Sequence, residues 1–144
     1  MKEITAYLHF NGNAREALTF YKECLGGELF FTTVEESAMA SQMPVEIHGH
    51  IMHSVLKIGS LTIYGSDMVR PKGVTIGNHM SLFINCISQD EINRFYANLV
   101  RDGKPGQPLT EAFWGSIYGD LDDKFGINWM LNYDKDEAIN NNRK

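Results

Sequence analysis

One feature limits the possible folds of this chain more than any other: the same series of elements occurs twice. The segments NAREALTFYKECLGG and SQDEINRFYANLVRDG both place apolar residues at helical spacing. These are Ala14, Ala17, Leu18, Tyr21 and Leu25 in the first, and Ile92, Phe95, Tyr96, Leu99 and Val100 in the second. Each segment opens with the residues of a capping box, Asn13 with Glu16 and Ser88 with Glu91. In such a box, side-chain oxygens accept backbone N–H groups that the helix itself leaves unpaired. Glycine stops each helix, at Gly26–Gly27 and at Gly103. The two cap residues stand 75 positions apart.

The flanking segments repeat as well. Strand-like runs precede the helices, ITAYLHF at 4–10 and HMSLFINC at 79–86. Three more follow the first helix, ELFFTTV, HIMHSVLKIG and SLTIYGSD, with a Gly-Ser turn at 59–60 suited to a hairpin. PLTEAF, GSIYGDLDD and GINWMLNY follow the second. The series strand–helix–strand–strand–strand, run twice, predicts an α+β fold of two βαβββ modules, 1–67 and 79–133. The turn-rich segment 68–78 joins them, and a polar tail, 134–144, is expected to fray or form a short exposed helix. A helix covers only one face of a sheet. The pattern therefore predicts two curved sheets facing one another across a cleft, and outer strands that favour pairing into a homodimer. Pairing of modules within a chain or between chains fits the pattern equally.

Composition narrows the function classes. A net charge of −5 without any Lys/Arg run argues against a nucleic-acid surface. No apolar stretch approaches the roughly 20 residues that span a bilayer, so no membrane partner is expected. MKEITAYLHF enters strand-like alternation without a signal-type apolar segment, so a cytoplasmic location is expected. Cys24 and Cys86 sit in apolar settings and read as buried free thiols.

The topology, carried by AYLHFNGNAREALTFYKECLGGEL (6–29), HSVLKIGSLTIYGSD (53–67) and FWGSIYGDLDDKFGINWMLN (113–132), resembles the vicinal oxygen chelate superfamily. That superfamily includes glyoxalase I, bleomycin-resistance proteins and extradiol dioxygenases; the chain is most similar to its PhnB-like branch. The resemblance implies a glyoxalase/bleomycin-resistance-like fold. It implies no single activity, because the superfamily hosts lyases, dioxygenases, thiol transferases and non-catalytic drug binders. Some PhnB-like proteins carry a label as methyltransferases of a ubiquinone precursor. The sequence gives that label no support: the Gly-rich run CLGGELF follows a helix and opens a strand, as a helix C-cap does.

In metal-dependent relatives the ion is held by four side chains, usually His and Glu, one on each of four cleft strands. Alternation on 79–86 turns Met80, Leu82, Ile84 and Cys86 toward the helix and His79, Ser81, Phe83 and Asn85 toward the cleft. On the last strand it turns Asn128, Met130 and Asn132 toward the cleft. His79 lies near the position of a second-module histidine in glyoxalase-like enzymes, and His53 matches a histidine of the PhnB-like branch. Met130 stands where the relatives' DxxGxxxE pattern has its glutamate, and a thioether is a poor substitute for a carboxylate on Zn, Ni, Mn or Fe(II). Ala6 stands at the first-strand histidine, though a shift of one residue brings in Thr5 or Tyr7. On SLTIYGSD the polar candidates are Tyr64, Ser66 and Asp67.

The crowded stretch EIHGHIMHS, with His48, His50 and His53, does not read as a metal site. If extended, it sends His48 and His50 to one face and His53 to the other, with His48 and His50 exposed at a loop edge. His53 shares its face with Val55 and Lys57. No cofactor is expected, and any divalent ion, at His53, His79 and His9, is expected to be weak or adventitious. Asp122, Asp123 and Lys124 read as a tight turn with solvated charges. The leading expectation is a small organic ligand in the inter-module cleft, met by Tyr7, His53, His79, Trp114, Tyr118, Asn128 and Met130. The alternatives are a metal-dependent lyase or dioxygenase, and an interaction module whose cleft is filled by its own side chains. Whether any reaction is catalysed stays open.

Overall fold

The structure, a computed structural model, describes residues 1–69 and 71–135; the expected tail beyond 135 lies outside them. The chain divides into two compact units, Met1–Thr75 and Ile76–Lys144.

In the first unit β1 (Ala6–His9) leads into α1 (Ala14–Leu25), followed by β2 (Glu28–Thr33), β3 (Ile51–Ile58) and β4 (Leu61–Ser66). The sheet order is β1-β4-β3-β2, with β1 parallel to β4 and the other pairs antiparallel. The helical stripe read from the sequence does the packing: Ala14, Ala17, Leu18 and Tyr21 are buried, joined by Phe20 and Cys24. Gly65 lets α1 approach, because a Cβ there would come within 2.9 Å of a Leu18 methyl. Gly59 and Ser60 form the expected two-residue hairpin, with Ile58 paired to Leu61. Gly26 closes α1 by donating its N–H to the Lys22 carbonyl at 2.7 Å, as a C-cap should. Gly27, at φ 99°, has no room for a Cβ, which would lie 2.3 Å from the Lys57 carbonyl oxygen.

The N-terminal cap of α1 differs from the expectation. Asn13 makes no side-chain cap bond. The buried carboxylate of Asp67 accepts instead: Oδ1 takes the N–H groups of Gly12 (3.0 Å) and Ala14 (2.9 Å), and Oδ2 takes that of Ile51 (2.8 Å). A charged acceptor makes a stronger bond than a neutral amide and suits the positive end of the helix dipole.

In the second unit β5 (Leu82–Asn85) and α2 (Gln89–Leu99) precede β6 (Lys104–Pro105), β7 (Thr110–Glu111), β8 (Ser116–Asp122) and β9 (Asn128–Asp134). The order is β5-β9-β8-β6, β7 also pairing with β8, and β5 runs parallel to β9. The βαβββ series is thus repeated with its second strand in two pieces, where the sequence predicted one strand over PLTEAF. Pro105 ends the first piece and Pro108 lies within the break, and neither has an N–H to donate. The α2 capping box forms as expected: Ser88 Oγ accepts the Glu91 N–H at 3.1 Å, and Glu91 Oε1 accepts that of Ile87 at 3.3 Å. At the other end Asp102, not Gly103, takes the left-handed conformation (φ 58°). Cys86, Ile92, Leu99, Ile117, Leu121, Trp129 and Leu131 form the core.

Two further expectations are corrected. β5 starts at Leu82, so His79, Met80 and Ser81 precede the strand and its alternation does not apply to them. Asp123 is buried rather than solvated: Oδ1 accepts the N–H groups of Phe125 (2.8 Å) and Ile127 (3.1 Å), and Oδ2 accepts the Trp129 indole N–H (2.8 Å). Asp122 and Lys124 are exposed as expected.

Candidate functional site

The face of the first sheet opposite α1 is where the chemistry gathers. β1 and β4 pair Tyr7 with Tyr64 and His9 with Ser66; β4 and β3 pair Tyr64 with Val55; β3 and β2 pair Val55 with Phe30. Residues opposite one another in a sheet share a face, so these registers build a row, Tyr7–Tyr64–Val55–Phe30. His53, two residues before Val55, shares that face by alternation, and an irregularity lies just before it in β3. Thr32 pairs with His53 but Thr33 pairs with Ile51, so Met52 is an extra residue in β3. Ile51 is thereby buried although it stands two residues from His53, whose ring lies beside that of Tyr7.

The side chains converge. Tyr7 Oη and His53 Nδ1 are 3.1 Å apart. Ring centroids lie 5.2 Å apart for Tyr7 and His9, 5.8 Å for Tyr7 and His53, 6.0 Å for Tyr7 and Tyr64, and 5.4 Å for His53 and Tyr64. All four pairs are within 33° of parallel. Lys57, two residues beyond Val55 on the same face, holds its ammonium 5.9 Å from the Phe30 ring. Alternation alone turns Tyr64 to this side, yet in sequence it stands out only as a metal donor, because stacking partners 57 residues away do not show in a linear pattern.

The same positions in the second unit carry different chemistry. Phe83 pairs with Met130 and Asn85 with Asn132, where the first unit pairs Tyr7 with Tyr64 and His9 with Ser66. Met130 in turn pairs with Asp120, and Asn132 with Tyr118. Tyr118 donates its hydroxyl to Asp120 Oδ2 at 2.8 Å, and Oδ1 accepts the Gln107 N–H at 2.8 Å. Burial, the hydrogen bond to Asp120 and the negative charge of that residue all push the Tyr118 phenol above its ordinary range. Tyr96 is raised too, by burial and then by Asp120. Asn128 is committed to structure: its amide donates to the Leu121 carbonyl (3.0 Å) and Asp122 Oδ1 (2.9 Å), and its oxygen accepts the Ser81 hydroxyl.

Of the expected site residues, then, the structure brings Tyr7, His53 and His9 together and joins Tyr64 to them. Tyr118 and Met130 share a face of the second sheet. Trp114 is not on a strand; it is 59% exposed in the turn before β8, edge-on to Phe113 at 4.8 Å. His79 is exposed ahead of β5. His48 and His50 are half-buried rather than exposed, because Val45–Ile47 forms a 3-10 turn instead of strand, and the His48 ring N–H donates to the Met43 carbonyl at 3.1 Å. Cys24 and Cys86 are buried, and burial followed by the Glu91 charge pushes the Cys86 thiol up to about 12. Among the described residues no helix is long and apolar enough to cross a membrane.

Twice-run βαβββ units of this order define the glyoxalase/bleomycin-resistance fold. A glyoxalase/bleomycin-resistance protein from Albidiferax ferrireducens T118 shares it at TM-score 0.60 and 13% identity, over 92% of this chain and 98% of that one. Within that class, the chain belongs to the PhnB-like family described as 3-demethylubiquinone-9 3-methyltransferase, whose model matches residues 2–132. It is 28% identical to protein YjdN of Escherichia coli K12, over 93% of this chain and 97% of that protein. The crystal structure of PA1353 from Pseudomonas aeruginosa matches at TM-score 0.81 and 32% identity, covering 93% of this chain and 98% of that one. A PhnB protein from Bacillus cereus matches at TM-score 0.70 and 23% identity, covering 92% and 99%. Membership in this family is a statement about descent and fold; the reaction in the family's name is a separate matter.

Proposed function

We propose that the chain binds a small organic molecule on the open face of the first sheet, at Tyr7, His9, His53 and Tyr64. The observation that carries this reading is the hydrogen-bonded Tyr7–His53 pair with Tyr64 stacked on both rings. Clustered aromatic rings with a few placed polar atoms suit a flat ligand, which gains apolar contact from the rings and orientation from the polar atoms. A small-molecule ligand and a second copy of the chain along an outer strand are the partners this reading keeps.

The donors present do not fit a resident divalent ion of the kind held by metal-dependent members of the fold. Such an ion needs three or more convergent ligands and negative charge to offset its desolvation. The strand carboxylate position is Met130. Asp67 is occupied by three backbone N–H groups, and both oxygens of Asp120 accept hydrogen bonds. Nδ1 of His53 is engaged by Tyr7. We therefore read the protein as a ligand binder rather than a metal-dependent lyase or dioxygenase.

The test is aromatic-ring NMR of Tyr and His signals during titration with flat conjugated compounds. Saturable shifts at Tyr7, His53 and Tyr64, lost in Tyr64→Ala, are expected. If no compound moves those signals, the reading fails. One equivalent of metal that survives dialysis of untagged protein and is lost in His53→Ala favours the metal-dependent alternative.

A further inference from the structure

Resting on the ligand-binding reading above, we infer that the molecule taken by this face is a flat conjugated acid or carbonyl compound, bound through an acceptor oxygen, and not an amine. A phenol is the better donor and a neutral imidazole nitrogen the better acceptor, so Tyr7 donates its O–H to His53 Nδ1. The proton of the His53 ring is thereby placed on Nε2. What His53 offers a ligand is an N–H donor, and a ligand must answer it with an acceptor.

The surrounding groups agree. Two imidazoles, His9 and His53, flank Tyr7, and Lys57 supplies an ammonium on the same face further along β3. Acidic groups stand elsewhere. Among the residues of the four strands the one carboxylate is Glu28, opposite Lys57 in register and at the far side of the sheet from Tyr7. Asp67 is buried and spent on backbone N–H groups, and Glu36 accepts the backbone N–H and hydroxyl of Thr33. An ammonium ligand would find aromatic rings but, among the described residues of these four strands, no carboxylate beside them, and would face the same N–H donor and Lys57 ammonium that an anion is drawn to. Near-parallel rings also lack the enclosing geometry of an aromatic cage for a cation.

The experiment compares isosteric probes that differ only in their polar group: 2-naphthoate, 2-naphthylmethanol and 2-naphthylmethylammonium. Each is titrated while the ring signals of Tyr7, His53 and Tyr64 are followed. Naphthoate is expected to bind at least ten-fold more tightly than the ammonium at this face, and His53→Phe, which keeps a ring but removes the N–H, is expected to erase most of that difference. Equal or tighter binding of the ammonium at the same signals overturns this inference while leaving the ligand-binding reading intact. Failure of every probe to move those signals overturns both. Ring signals that respond to protein dilution and not to probe identify a second copy of the chain as the occupant and also overturn it.

Discussion

Asp67 Oδ1 accepts the backbone N–H of Ala14 at 2.9 Å, so α1 is capped by a residue 53 positions further along the chain. The same carboxylate holds Gly12 and Ile51, tying the start of the helix, the start of β3 and the end of β4 to one side chain. Asp67→Ala would leave these donors without their acceptor, two of them buried, at a cost of about 3 kcal/mol. Asn13→Ala, at the position that looks like the cap in sequence, should cost under about 0.5 kcal/mol, since it makes no cap bond. Thermal melts followed by circular dichroism of the two variants check both values. Equal losses would contradict the assignment.

Asp123 plays a comparable part in the second unit, and tryptophan fluorescence reads it. Trp129 is 1% exposed and hydrogen-bonded to Asp123, whereas Trp114 is 59% exposed. In Trp114→Phe the remaining emission should be blue-shifted and resistant to acrylamide. Adding Asp123→Ala should shift it to the red and lower stability by about 2 kcal/mol, through loss of an acceptor for Trp129, Phe125 and Ile127.

Alkaline titration tests the Tyr118–Asp120 pair. Burial first, then Asp120, raises the Tyr118 phenol above its ordinary value of 10.0. A raised value in the folded state means that the neutral phenol adds stability that is whole below about pH 10 and is lost as pH rises through the folded value. Asp120→Asn should therefore lower the ionisation midpoints of Tyr118 and Tyr96, seen by ultraviolet difference spectra. An unchanged titration would show that Asp120 is not a cause.

Neither cysteine should behave as a nucleophile. The thiolate is the reactive form, and the Cys86 thiol is pushed up to about 12 while Cys24 is buried. Iodoacetamide at about pH 8 should leave both unmodified in folded protein and label both in denaturant. Rapid labelling of Cys86 in the folded state would refute this.

The sequence is legible here wherever the determinant is local. Helical spacing identified the buried faces of α1 and α2, Gly59–Ser60 marked the hairpin, and Ser88 with Glu91 formed the box their spacing suggests. It misled where a distant partner outcompetes a local one. Asn13 has the right chemistry for a cap, but Asp67 reaches the site first, and Asp123 looks like a surface turn until Trp129 folds over it. Alternation also continues past the end of a strand: His79 and Ser81 fit the β5 pattern although pairing begins at Leu82. For the candidate site, alternation turned Tyr7, His9 and His53 to one face, while their convergence with Tyr64 depends on registers between strands that no single segment encodes.

The extra residue in β3 works on the strand as a one-letter insertion works on a reading frame. Side chains of a strand are read in twos, one face and then the other. By standing outside the count, Met52 allows Ile51 and His53 to face opposite ways although they are two apart. Loss of Met52 would leave both messages in frame, with Ile51 still in the core and His53 still on the open side. Loss of Val55, one turn of the alternation later, would not: every residue before it would change face, and His53 would be read into the core.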